Sequence, residues 1–188
     1  MKIHSEEVIR KVKEKTMLLI KYKGSKGWNM ADLAKESELA KDTLYRLIGS
    51  KEKWLREVLV SKVIKNQQLV VDIMNNDEVY LLKLERIIYE LSNFIFELSS
   101  ENMKEVLEAF PGISEAIYSI KSDLDEEIID FIQSGINNGF FVEDLEPEFL
   151  YEMVKASLFY FVKSENSSKT KENVYKSLNY LLKGTQKH

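Results

Sequence analysis

The chain has no cysteine and contains only two prolines and seven glycines in its 188 residues. The absence of cysteine excludes disulfides, thiol nucleophiles and thiolate metal sites. So few prolines and glycines leave little turn chemistry. An all-β sandwich or barrel is therefore excluded, because such folds need a turn every 8 to 12 residues or so. Long helices are the predicted building blocks.

The sequence also lacks any uncharged apolar run of the roughly 18 residues that cross a bilayer, and its first residues do not form the apolar core of a signal peptide. We therefore expect a soluble, cytoplasmic protein with no membrane partner. Hydrophobic residues make up 44% of the chain and charged residues 31%. This balance excludes intrinsic disorder, which needs fewer hydrophobic residues and a higher net charge.

Charge is divided unevenly along the chain. Residues 1–60 contain 14 lysines and arginines against 9 acidic residues, whereas the remainder has a net charge of −9. A basic segment ahead of an acidic body is the arrangement expected of a module that touches a polyanion while the rest of the chain stays away from it.

The spacing of apolar residues predicts an all-α fold with nine helices and no strand. The helices are expected at 5–23, 30–37, 41–48, 50–74, 78–99, 102–110, 113–138, 148–163 and 169–183. Pro111 and Gly112 are expected to end the sixth helix, and Gly139 the seventh. The second and third helices are short and only a few residues apart, which is typical of a helix-turn-helix.

The segment around these two helices contains an ungapped motif. Its residues are Gly24, Met30, Leu33, Ala34, Ser37, Glu38, Leu39, Ala40, Thr43, Leu44, Tyr45, Leu47, Ile48, Ser50, Lys51 and Glu52. These residues, at these spacings, resemble the amino-terminal domain of the TetR family of bacterial repressors. The most specific part is the Thr-Leu-Tyr block followed by Ser-Lys-Glu. The motif covers about residues 8–58, and the order of the helices matches the family over the whole chain.

The motif departs from the family pattern at the turn and at the start of the third helix. Glu38 stands where the family usually has a glycine, and Ala40 replaces the serine that caps the helix. Asp42 replaces a small residue, and Leu47 with Ile48 replaces an aromatic pair. We expect these changes to affect the DNA sequence preference more than the fold.

Helical spacing divides the third helix into two faces. Leu44, Leu47 and Ile48 lie at i, i+3 and i+4 and are expected to pack inward. The outward arc then holds the side chains expected to read DNA: Lys41, Asp42, Tyr45 and Arg46. The alternative interpretation is an ordinary solvated face with Tyr45 in the core.

Four further residues complete the predicted DNA-binding set. The resemblance implies that Thr43, at the edge of the outward arc, contacts DNA. Ser50 and Lys51 open the fourth helix, whose free N–H groups suit a phosphate oxygen. Asn29, which is predicted to cap the second helix, is the fourth.

The resemblance implies a homodimeric repressor that binds palindromic double-stranded operator DNA through residues 1–48. Residues 49–188 would then dimerise and bind a small apolar or amphipathic effector that releases the operator. The effector candidates are Tyr89, Phe94, Tyr118 and Phe131. Helix 148–163 is apolar on more faces than one core requires, so the dimer candidates are Met153, Leu158 and Val162.

Enzymatic chemistry has little support in the sequence. His4 and His188 lie at opposite termini, so we expect no metal site and no cofactor. The carboxylates Asp123, Glu126, Glu127 and Asp130 are interpreted as a solvated helix face. Two alternatives stay open, namely a DNA-binding or adaptor protein of the same fold that needs no effector, and a helical enzyme or carrier.

Overall fold

The computed structural model describes residues 6–120, 124–164 and 169–186, with only the backbone of Leu124. Over these ranges it has ten helices: α1 Glu6–Lys23, α2 Met30–Glu36, α3 Lys41–Ile48, α4 Lys51–Met74, α5 Tyr80–Leu98, α6 Glu101–Ala109, α7 Pro111–Tyr118, α8 Leu124–Asn137, α9 Pro147–Lys163 and α10 Thr170–Gly184. The one β feature in these ranges is an isolated antiparallel bridge between Phe141 and Gln186. The predicted all-α fold is confirmed.

The single helix predicted over 113–138 is wrong, and its division raises the number of helices from nine to ten. Pro111 begins α7 as well as following the end of α6, because a proline in the first helical turn needs no N–H partner. At the other end of α7, the Ser119 N–H donates to the Glu115 carbonyl at 2.9 Å, and the Ser119 hydroxyl donates to the Ala116 carbonyl at 3.2 Å. The first is the last helical bond of α7, whereas the second, from a side chain to the backbone, is of the kind that competes with continuation of a helix.

The helices form two compact units. The first comprises the chain up to Val63 together with Glu101–Ile120, and the second comprises Ile64–Ser100 and the chain from Lys121 onward. Helix α4 therefore contributes its first half to one unit and its second half to the other. The functional boundary after residue 48 stays a prediction. The compact unit that holds the helix-turn-helix also includes α6 and α7.

The core of the first unit is largely apolar and contains a buried hydrogen-bonded pair, Trp54 and Thr16. Its fully buried side chains include Val12, Ile20, Leu33, Leu44, Leu55, Leu59, Val106 and Ile113. The Trp54 indole N–H donates to Thr16 Oγ1 at 2.8 Å, and the Thr16 hydroxyl donates to the Val12 carbonyl at 2.8 Å. Because its N–H has a partner, Trp54 can be buried without the cost of an unsatisfied donor.

In the second unit, an aromatic sandwich packs beside the larger apolar cluster. The Tyr80 ring lies between Phe131 and Phe140, with centroid distances of 4.5 and 4.6 Å. The Tyr80 hydroxyl donates to the Phe131 carbonyl at 3.2 Å, and burial raises the pKa of this phenol well above its ordinary value. The sandwich therefore joins the start of α5 to α8 and to the residues that follow it.

This sandwich explains the glycine in α8 and gives a stability prediction. A Cβ at Gly135 would lie 2.3 Å from Tyr80 Oη and 2.7 Å from Phe141 Cδ2. Gly135→Ala is expected to lower the free energy of unfolding by about 1 to 3 kcal/mol, because the packed rings must move. The control Gly184→Ala meets nothing within 4 Å and should be neutral or stabilising by about 0.5 to 1 kcal/mol. Urea denaturation measures both, and equal effects would contradict the steric explanation.

Candidate nucleic-acid interface

Helix α2 begins with a complete capping box. Asn29 Oδ1 accepts the N–H groups of Ala31 and Asp32 at 2.8 and 3.2 Å, and the Asp32 carboxylate accepts the Asn29 N–H at 2.8 Å. Caps of this kind stabilise a helix by about 1 kcal/mol. The predicted capping role of Asn29 is confirmed. A DNA contact by the same side chain stays a prediction.

The turn between α2 and α3 contains an acidic residue in the left-handed region. Glu38 has a φ of +57°, the backbone conformation that explains why the family pattern has glycine at this position. The Glu38 carboxylate accepts a hydrogen bond from Lys11 Nζ at 2.7 Å. This contact with Lys11, aided by the charge of Lys15, lowers the pKa of Glu38. Glu38, the residue that departs from the family pattern at the turn, therefore forms an ion pair with a lysine of α1.

Helix α3 presents one face to the core and the other to solvent. Leu44 and Ile48 are buried, and Leu47 and Thr43 are half-buried. The predicted outward arc is confirmed as exposed: Lys41, Asp42, Tyr45 and Arg46. Ala40 precedes the helix without a side-chain cap, as expected for an alanine. DNA contact by the exposed side chains stays a prediction.

Two residues at the start of α4, Ser50 and Lys51, were predicted to contact phosphate. The first is exposed to solvent, and the second is bound to other parts of the protein. Ser50 is exposed, and its Oγ accepts the Lys53 N–H at 3.3 Å. Lys51 Nζ donates to the backbone carbonyls of Ser25 and Trp28 and lies 3.9 Å from the Trp28 ring centroid. Lys51 thus holds the loop between α1 and α2, a role that the sequence did not indicate. Its predicted phosphate contact requires the remaining N–H of the ammonium.

The ionisation of Lys51 reflects this half-buried position. Burial lowers the pKa of the ammonium below its ordinary value, and the carboxylates of Asp32 and Glu105 oppose that shift. The residue therefore combines a structural role with a charge at the amino end of α4.

We expect Lys51→Met to lower the free energy of unfolding by about 1 to 2 kcal/mol, because the Ser25 and Trp28 carbonyls lose their shared donor. The matched control is Lys53→Met, two positions along and exposed, which should change stability by less than about 0.5 kcal/mol. Chemical denaturation followed by circular dichroism compares the two variants. Equal stability of both would refute the role assigned to Lys51.

Two polar side chains of α6 contact the end of α1 and the loop that follows it. Glu105 Oε2 accepts the Ser25 N–H at 3.0 Å, and Asn102 Nδ2 donates to the Lys21 carbonyl at 2.7 Å. Sequence analysis missed both residues, because each contact joins positions about 80 residues apart and neither side chain belongs to a motif.

The four predicted effector residues do not form one cluster. Tyr118 belongs to the first unit and is 68% exposed. Tyr89, in the second unit, is 51% exposed, and Lys171 Nζ lies 4.7 Å from its ring centroid. Phe94 and Phe131 are half-buried and pack against different apolar clusters. Effector binding by these four residues stays a prediction.

The three predicted dimer residues have different surroundings. Leu158 and Val162 pack against the buried cluster of Ile88, Ile95, Val174 and Leu178, so part of their surface belongs to the core of the unit. Met153 is 40% exposed, and two aromatic residues of the same helix, Phe149 and Tyr160, are more exposed still. Phe149, Met153 and Tyr160 are separated by four and seven positions and therefore share one face of α9.

Other kinds of site find little support in the part of the chain that the structure describes. Glu126, Glu127 and Asp130 are exposed, which confirms the interpretation of a solvated face for these three carboxylates. The described residues contain no group of three or more His, Asp or Glu side chains that could hold a metal ion. His4, Asp123 and His188 lie outside those residues. None of the described helices combines the length and apolar character needed to cross a membrane.

Comparison of the sequence with protein-family profiles and with curated proteins gave no match. Solved structures do match. A TetR-family transcriptional regulator from Pectobacterium atrosepticum superposes with a TM-score of 0.71 at 16% identity, covering 100% of this chain and 98% of that one.

Two further structures agree with this result. The fatty acid degradation regulator FadR from Bacillus halodurans has a TM-score of 0.69 at 15% identity, covering 96% of this chain and 97% of that one. The TetR-family regulator PfmR from Thermus thermophilus has a TM-score of 0.63 at 17% identity, covering 94% of this chain and 99% of that one. The resemblance noted in the helix-turn-helix motif therefore extends to the tertiary structure, and this chain has the fold of the TetR-family transcriptional regulators.

Proposed function

We propose that the protein is a DNA-binding transcriptional regulator that reads double-stranded operator DNA with α3. The observation that carries this proposal is the outward face of α3. It presents Lys41, Tyr45 and Arg46 to solvent opposite the buried Leu44 and Ile48, directly after the turn of a helix-turn-helix. A helix placed in this way can enter the major groove, where base edges are distinguishable.

Each exposed side chain has a chemical partner on DNA. Arg46 and Lys41 can donate to the acceptors of guanine, and the Asp42 carboxylate can accept from the amino group of cytosine. Asp42 also repels phosphates, so it favours a position over base edges. Ser50 and the amino end of α4 can contact a phosphate oxygen. The proposed chemistry is binding and not catalysis.

The proposed assembly is a homodimer on a palindromic operator. One recognition helix reads only a few base pairs, so useful affinity requires two copies spaced by about one DNA turn, roughly 34 Å, or a multiple of it. The exposed apolar face of α9, with Phe149, Met153 and Tyr160, supports pairing through this helix. A symmetric pair would bury the same residues on both subunits.

We further propose that the protein is a repressor released by an apolar or amphipathic effector bound to the second unit. Support comes from the apolar clusters that contain Phe94 and Phe131 there. For a tenfold loss of operator affinity the effector must favour the non-binding state by about 1.4 kcal/mol, and DNA must weaken effector binding by the same factor. A regulator that binds DNA without an effector is the alternative outcome.

Selection of bound sequences from a random duplex library tests the proposal directly. We expect an enriched palindrome with two half-sites that is bound more weakly as salt increases. A compound screen for release of that duplex then tests the effector. Failure to enrich any duplex would refute DNA binding, and an operator that no compound releases would favour the effector-independent alternative.

A further inference from the structure

We propose that Glu105 of α6 is a positioning residue for DNA binding, acting through the loop 24–29 that joins α1 to α2. This inference rests on the proposed function, because its consequence is measured on operator DNA. Glu105 lies far along the chain from the helix-turn-helix but in the same compact unit.

The first step is the contact itself. Glu105 Oε2 accepts the Ser25 N–H at 3.0 Å, and Asn102, one helical turn earlier, donates to the carbonyl of Lys21 at 2.7 Å. Hydrogen bonds to a charged group are stronger than those between neutral groups. The amino half of α6 thus holds the end of α1 and the beginning of the loop.

The second step is how closely α6 approaches the loop. Gly24 has a φ of +64°, and a Cβ at this position would lie 1.9 Å from Glu105 Oε2. The glycine therefore provides both the left-handed turn and the space for the carboxylate. Because any other residue would displace Glu105, the loop conformation and the position of the carboxylate depend on each other.

The third step connects the loop with the DNA-binding helices. The carbonyls of Ser25 and Trp28 both accept from Lys51, at the start of α4, and Asn29 caps α2. Ser25 Oγ and Trp28 Nε1 are buried without a hydrogen-bond partner among the described residues. The two side chains therefore do not fasten the loop by hydrogen bonds of their own. Beyond two local backbone bonds, in which the Gly24 and Gly27 N–H groups donate to the Ile20 and Lys23 carbonyls, the loop backbone is held by Glu105, Lys51 and the Asn29 cap.

The packing of α6 does not itself require Glu105. Met103 and Val106 are buried, with 2% and 0% relative exposure, and anchor the helix through its apolar face. The carboxylate is thus free to serve the loop. We infer that losing its hydrogen bond leaves α6 in place but allows the loop, and with it α2 and α3, to leave the orientation that fits DNA.

Two substitutions separate the hydrogen bond from the charge. Glu105→Gln keeps the length and an acceptor oxygen but loses the charge, whereas Glu105→Asp keeps the charge but shortens the side chain by about 1.5 Å. The matched controls are Glu108→Gln and Glu108→Asp, at an exposed position of the same helix. Operator affinity is measured well below the unfolding temperature on protein whose folded fraction is known, together with amide hydrogen exchange at Ser25.

We expect Glu105→Asp to weaken operator binding by about fivefold to tenfold and to accelerate exchange at Ser25, because its carboxylate no longer reaches the N–H. Glu105→Gln, which keeps an acceptor at the same reach but loses the charge, should weaken binding clearly less than Glu105→Asp, and both Glu108 controls should stay within about twofold of the wild type. A purely structural role would lower the unfolding temperature of Glu105→Asp without changing the affinity of the folded fraction.

Three outcomes would overturn the inference while leaving DNA binding intact: equal affinities of Glu105→Asp and Glu108→Asp, an equal loss in Glu105→Gln and Glu105→Asp, or unchanged exchange at Ser25. If the wild-type protein binds no selected duplex, the proposed function itself fails. Exchange at Ser25 still reports the hydrogen bond in that case, so the two failures are distinguishable.

Discussion

The triple variant Lys41→Ala/Tyr45→Ala/Arg46→Ala is expected to bind operator DNA at least about 100-fold more weakly than the wild type. A good contact to a base edge contributes about 1 to 3 kcal/mol, and a dimer loses the contacts in both half-sites. All three side chains are exposed on α3, so the unfolding temperature should change little. Fluorescence anisotropy with a labelled operator measures the affinity.

The control for charge is Lys65→Ala/Lys183→Ala, which removes the same number of positive charges, two per chain, from exposed positions of the second unit. This variant should bind DNA almost as the wild type does. If the triple variant and the control retain equal affinity, α3 is not the recognition helix.

The salt dependence separates phosphate contacts from base contacts. Each lost phosphate contact lowers the slope of log K against log salt by about 0.9. A lost base contact leaves the slope nearly unchanged and relaxes the preference at one position of each half-site. Single substitutions of Lys41 and Arg46 therefore identify which of the two residues reads sequence.

The second large effect is expected at the exposed face of α9. Met153→Glu/Tyr160→Glu should produce a monomer, because the dimer would have to bury two added charges on each subunit without partners. Loss of the second subunit removes the high effective concentration of the second recognition helix, so operator affinity should fall by about 10² to 10⁴. Sedimentation velocity at micromolar concentration reports the mass, and anisotropy reports the affinity.

The side chains chosen for this test matter. Leu158 and Val162 pack against a buried cluster, so charged residues there would disturb the fold of the unit as well as any dimer. Met153 and Tyr160 are exposed in the single chain, which makes their substitution specific for assembly. The control Leu81→Glu places one glutamate at an exposed apolar position of α5 and should leave the dimer intact. A monomeric wild type would contradict the proposed assembly.

Local sequence determined the helices and the faces of the helix-turn-helix. The inward position of Leu44 and Ile48 and the exposure of Tyr45 follow from 3.6 residues per turn, and the cap at Asn29 follows from hydrogen bonds within three residues. The same local rules missed the break between α7 and α8, because they predicted a single helix over 113–138. Apolar spacing continues across that break, whereas the backbone leaves the helix at Ser119.

Only the tertiary structure decided which polar side chains meet. Lys51 opens a helix and was therefore expected to face phosphate, but the loop 24–29 places two of its carbonyls, those of Ser25 and Trp28, within reach of the ammonium. The Glu105 contact with Ser25 and the space that Tyr80 requires at Gly135 likewise join distant parts of the chain. Helical periodicity specifies the direction of each side chain around its own axis. The partner that it reaches depends on how the helices pack, which a single helix does not encode.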